Sequence, residues 1–98
     1  MVEKFEELIF DERCVTWTKS PECNKQRIMY TEQYLRNRCN LIGWVSLNDV
    51  YDALGVSRVL EAQIVGWRGN DAVAFAIMEC QDNPSNIEIR FINLIKLL

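Results

Sequence analysis

The residues of this 98-residue chain that could do chemistry are four cysteines and one spaced pair of aspartates. Cys14, Cys23, Cys39 and Cys80 could act as thiolate nucleophiles or metal ligands. Asp49 and Asp52 stand one helical turn apart, as carboxylates sharing a proton-transfer task could. Neither set has the company such chemistry needs. The chain has no histidine, which removes the usual general base near neutral pH, every Ser-His or Cys-His pair and the commonest metal ligand. No two cysteines fall at C-x-x-C spacing, so a zinc site would need a fold that gathers scattered residues. The thiols read better as small core hydrophobes in a reducing compartment. Gly66-Trp67-Arg68-Gly69 lacks the lysine and the following helix of a phosphate loop. Asp49 and Asp52 read as an exposed acidic helix face. No catalytic residue, metal or cofactor is expected, and the protein is read as a non-enzyme.

Contact is what the remaining side chains offer. Tryptophan and arginine dominate binding hot spots, and the chain holds Trp17, Trp44 and Trp67 among several arginines. The expected partner-binding residues are Trp44, Trp67, Arg68, Arg36, Arg38, Asp49 and Asp52. Residues 1–12 carry Glu3, Glu6, Glu7, Asp11 and Glu12 against Lys4, whereas residues 13–40 carry six cations against Glu22 and Glu32. Two modes of contact stay open. Glu3, Glu6, Glu7, Asp49 and Asp52 could enter a basic groove, or Arg27, Arg36 and Arg38 could meet an acidic surface. The net charge of −3 is too small for a general nucleic-acid binder or a strong acidic mimic of DNA.

These side chains need elements to hold them. Length and composition suit one domain over residues 1–98, with 49% hydrophobic and 26% charged residues. Val2, Phe5, Leu8 and Ile9 fall on one helical face, predicting a short helix over 2–10. Cys14–Thr18 suits a short strand. Ser20 and Pro21 read as N-cap and first residue of a helix running towards Cys39, with Thr31 as a site where it could break. Tyr30 and Tyr34 share one face of it, and Ile28, Leu35 and Cys39 another. Ser46 and Asp49 form a capping box, with Val45 and Val50 as its hydrophobic staple. Leu47, Val50, Tyr51 and Leu54 then make an apolar stripe that Gly55 terminates, and a further short helix is expected to about Ala62. Gln63–Arg68 and Asp71–Cys80 alternate as strands about a Gly69-Asn70 turn, and a third strand starts at Ile87. The expected fold is α+β, a helical N-terminal half packed on a three-stranded antiparallel meander. Leu94–Leu98 is either strand continuation tucked into the core or an exposed apolar patch for a partner.

Residues 49–58 also look like the middle of a helix-turn-helix, with Leu54 before Gly55 and Ser57 opening a second helix. Tyr51 stands where a small residue is wanted and Glu61 where an apolar one is. Arg58 is the lone cation of the would-be reading helix, too little for phosphate contacts, so direct nucleic-acid binding is not expected.

Tyr30-Thr31-Glu32-Gln33-Tyr34-Leu35, the run Gly43-Trp44-Val45-Ser46-Leu47-Asn48-Asp49-Val50-Tyr51-Asp52-Ala53-Leu54-Gly55 and Gly66-Trp67 together resemble a small uncharacterised family from phages and prophages of Gram-positive gut bacteria. In that family a Y-T-x-x-Y-L segment leads to Y-V-S-L-N-D-V-Y-D-A-L-G, then to G-W and a β-rich end. The likeness covers about residues 30–67, and Arg90–Ile95 departs from the family's aspartate- and glycine-containing ending. The resemblance implies a phage or mobile-element origin and no known activity. The expected function is a small protein that binds and inhibits a host protein, such as a bacterial defence nuclease, in the manner of anti-CRISPR proteins. Its place would be the host cytoplasm, since no segment reads as a signal peptide or membrane span. The alternatives are a minor virion or assembly component, self-associating as a homodimer or larger, and a helix-turn-helix-like DNA-binding regulator.

Overall fold

The computed structural model describes residues 5–98. Val2, Glu3 and Lys4 lie outside the described residues. The helix expected over 2–10 is not what the rest of that segment forms, because Glu7–Phe10 is a strand, β1. A short apolar run satisfies both periods. Here the alternating one wins, since Leu8 and Phe10 turn to the core and the backbone finds a partner strand. The segment around Cys14–Thr18 is a series of turns, with no strand.

Helix α1, Pro21–Ile42, begins as the sequence predicts: Ser20 Oγ accepts the Cys23 N–H at 3.2 Å, and Pro21 occupies the first turn. It does not break at Thr31. That hydroxyl is buried and donates back to the Arg27 carbonyl at 2.8 Å, satisfied inside the helix. Asn24, Ile28, Thr31, Leu35 and Cys39, three and four apart, form the buried stripe. Gly43, at φ 97°, stops the helix. Strand β2 (Trp44–Ser46) runs straight into α2 (Leu47–Leu54). After α2, residues 56–59 are extended and a 3-10 helix covers Leu60–Ile64, in place of the short helix expected there. Strands β3 (Val65–Arg68), β4 (Ala74–Glu79), β5 (Ile87–Ile92) and β6 (Ile95–Lys96) complete the chain.

The class is mixed α+β, but the three-stranded meander does not form. β3 and β4 lie in different antiparallel sheets, ordered β1-β5-β4 and β2-β3-β6. The Gly69-Asn70 turn does not close a hairpin because its hydrogen bonds go elsewhere. The Gly69 N–H donates to the Gly43 carbonyl at 3.0 Å, and the Asp71 N–H to Asn40 Oδ1 at 2.8 Å. Both acceptors belong to the end of α1, so the chain is drawn past that end to a second sheet.

Trp67 joins the two sheets. Its ring lies 5.9 Å from those of Phe75 and Phe91, and its Nε1 donates to the Ile92 carbonyl at 2.7 Å. Helix α1 covers the outer edge of β4. Glu32 accepts the Phe75 N–H at 2.8 Å, Arg36 donates twice to the Val73 carbonyl at 3.1 Å, and Lys25 pairs with Glu79 at 2.9 Å. An edge occupied in this way is closed to strand addition.

A candidate partner-binding face

The expected contact residues divide among three places. Trp67 is fully buried, so it belongs to the core and not to a surface a partner could reach. Arg36 is held by the Val73 carbonyl and by Glu32 at 3.3 Å, and its task is to close the β4 edge. The other five sit around two clefts.

The first cleft, of about 360 Å³, lies between α1 and α2 and is lined by Tyr34, Leu35 and Arg38 on one side and Asp49, Asp52, Ala53 and Arg58 on the other. The sequence puts both aspartates there, because the start of α2 at Ser46 and its apolar stripe fix which side is exposed. Leu47, Val50 and Leu54 are wholly buried, with Tyr51 nearly so. Asp49 Oδ2 accepts the Ser46 N–H at 2.9 Å, the acid's half of the capping box. Ser46 Oγ is buried without a hydrogen-bond partner among the described residues. Asp52 is clasped by Arg58, at 2.9 Å from Nε and 2.8 Å from Nη2. That hydrogen bond holds the Asp52 carboxyl below its ordinary range. Both carboxylates therefore stay charged and occupied at neutral pH, a poor arrangement for moving protons. Arg38 has no ion-pair partner among the described residues.

The second cleft, of about 350 Å³, lies on the outer face of the β2-β3-β6 sheet and is lined by Trp44, Gln63, Ile64, Arg68, Leu97 and Leu98. Alternation explains its wall. Val45, Val65 and Trp67 turn to the core, so Trp44, Gly66 and Arg68 turn outwards. Trp44 and Arg68 are register partners across β2 and β3. Gly66 has to be glycine, since a Cβ there would collide with the Val45 carbonyl oxygen. Trp44 remains 42% exposed beside this cleft. The C-terminal segment does both things expected of it: β6 extends the sheet and Leu97 is buried at 8%, while Leu98 stays 90% exposed. The Arg68 guanidinium donates to the Leu97 carbonyl, which fixes it at the rim of the cleft.

Sequence reasoning missed Gln63 and Ile64. They reach the cleft because Asn48, almost wholly buried, ties the segment after α2 in place. Its amide accepts the Val59 N–H at 3.1 Å and donates to the Val59 carbonyl at 2.9 Å and to Gln63 Oε1 at 3.2 Å. A buried asparagine early in a capped helix was the available signal. The same bonds keep residues 56–59 extended, so no second helix follows α2 to enter a DNA groove.

Among the described residues no three Cys, Asp or Glu side chains are gathered where they could hold a metal ion. Burial pushes the Cys14 and Cys39 thiols up, away from the thiolate form a nucleophile needs. No helix among the described residues is long and apolar enough to cross a membrane. The chain belongs to a family of unknown function (DUF6353), which matches residues 1–93. It matches no curated protein and no solved structure. The matched span includes β2 and β3 and stops short of Leu94–Leu98, which supply one wall of the second cleft.

Proposed function

We propose that this member of the family is a non-catalytic protein that acts by binding another protein and blocking it, and that the outer face of the β2-β3-β6 sheet is its contact surface. The observation that carries this reading is Trp44. An indole left 42% exposed beside an apolar cleft, with an arginine fixed across from it, has the composition and shape of a binding hot spot. Its interior counterpart, Trp67, shows what the same side chain does when its task is packing. The thiols with raised pKa values and the carboxylates already engaged add weight to a binding role. The phage-like resemblance of residues 30–67 supplies the context: an accessory protein of a mobile element, acting in the bacterial cytoplasm on a host protein such as a defence nuclease.

The test is a tagged pull-down from host lysate with and without nuclease treatment, using the parent chain and Trp44→Ala. The expected result is one dominant partner that survives nuclease and is lost with Trp44→Ala. Capture that disappears on nuclease treatment, or that is indifferent to Trp44→Ala, overturns the reading.

A further inference from the structure

What kind of surface the Trp44 face accepts follows from charges that have no counter-charge. Arg68 and Lys96 are the ionisable side chains of the β2-β3-β6 sheet, and both are cationic. Neither forms an ion pair among the described residues, whereas Arg13, Lys25, Arg36, Arg58 and Arg90 all do. The cleft beside them is lined by no acid. Arg68 uses one nitrogen on the Leu97 carbonyl, and its other N–H groups meet no acceptor among the described residues. A guanidinium held in one place with donors to spare is set up to receive a carboxylate.

Other ways of covering this face fit less well. Strand addition would have to use β6, which is two residues long and offers almost no ladder. A second copy would bring the same face to itself, setting Arg68 and Lys96 against their own likenesses across a two-fold axis. A nucleic acid would bring phosphates to a mostly apolar cleft with two cations near it, too few to hold it. Resting on the binding reading above, we infer that the partner presents an acidic amphipathic segment. One apolar side chain enters the cleft beside Trp44, Ile64 and Leu97, and a flanking carboxylate is taken by Arg68, with Lys96 adding attraction from the edge.

The experiment is a tryptophan-fluorescence titration of the full chain with three probes. These are a synthetic amphipathic peptide of Leu, Phe and Glu, its counterpart with Lys at every Glu, and a single-stranded DNA oligonucleotide. The acidic peptide is expected to bind and to change the emission, and Trp44→Phe to remove that change. Arg68→Glu is expected to weaken binding by about tenfold or more, and Arg68→Gln by less, with circular dichroism verifying that both variants fold. The lysine peptide and the oligonucleotide are expected to leave the emission unchanged. Binding of the lysine peptide or the oligonucleotide with equal strength, binding indifferent to Arg68→Glu, or no binding by the acidic peptide overturns the inference. The two readings fail separately. A captured partner that depends on Trp44 but binds more tightly to Arg68→Glu sinks the acidic-partner inference alone, while the absence of any captured partner sinks the binding reading itself.

Discussion

The cleft between the two helices and the cleft on the outer sheet face enclose almost the same space, about 360 and 350 Å³, with opposite chemistry. Between the helices, Asp52 is taken by Arg58 and Asp49 by the backbone of its own helix. That cleft answers most of its charges from within. On the sheet face Trp44 is uncovered, and Arg68 and Lys96 have no acid near them. A surface that satisfies itself gains little from a partner. One with exposed apolar area and unanswered charge gains both burial and ion pairing. Cleft size carries no information here, and the state of the lining carries nearly all of it.

The largest effect that sharpens this contrast is within one sheet. Trp67→Ala should cost about 3–5 kcal/mol in urea denaturation, because it removes the ring between Phe75 and Phe91 and leaves the Ile92 carbonyl without its donor. Gly66→Ala should follow, at about 1–3 kcal/mol or more. β2 and β3 must move apart to admit a methyl group, and the Trp44–Arg68 pairing should go with them. A Gly66→Ala protein of unchanged denaturation midpoint would show that the two strands are less tightly apposed than described. Asn48→Ala should cost about 1–3 kcal/mol, since it strands the Val59 backbone and loosens Gln63. Faster hydrogen exchange confined to residues 59–64 would verify the mechanism.

Trp44→Ala should shift the midpoint by no more than about 0.5 kcal/mol while abolishing partner capture. The reverse pattern, lost stability with binding retained, would make Trp44 a packing residue and break the comparison. Smallest of all is Asp52→Asn. The Asp52 carboxyl is depressed by Arg58, so the pair stabilises above the ordinary carboxylate pKa and that contribution is lost as pH falls through the lower folded value. Both partners are half exposed or more, so the difference between parent and variant midpoints from pH 6 to pH 3 should be slight, with the parent losing more. If Asp52→Asn abolished capture and Trp44→Ala did not, the cleft between the helices would be the binding site.

Much of what positions the two clefts was legible where a signal is local. The Ser20-Pro21 helix start, the Val45–Gly55 unit and the Ile87-Ile89-Phe91 alternation each depend on neighbours within a few residues, and each appears as read. Asp49 and Asp52 were placed correctly for that reason. Arg36 and Trp67 were not. Whether an arginine meets solvent or the Val73 carbonyl 37 residues away depends on where α1 lies against β4, and the sequence near Arg36 says nothing of that.

By itself, the sequence determined the class, the long helix, the capped second helix and most of the strand-forming segments, because propensity, capping and periodicity act over one or two turns of chain. Strand pairing was decided by the tertiary structure. Residues 7–10 became a strand because β5 had an open side, and the turn at Gly69 separated two sheets because the end of α1 offered its N–H groups better acceptors than the opposite strand did. Which tryptophan faces outwards follows from that pairing. The face a strand shows to solvent is fixed only when its partner sheet has chosen a side to bury, and that choice is made by contacts far apart in the chain.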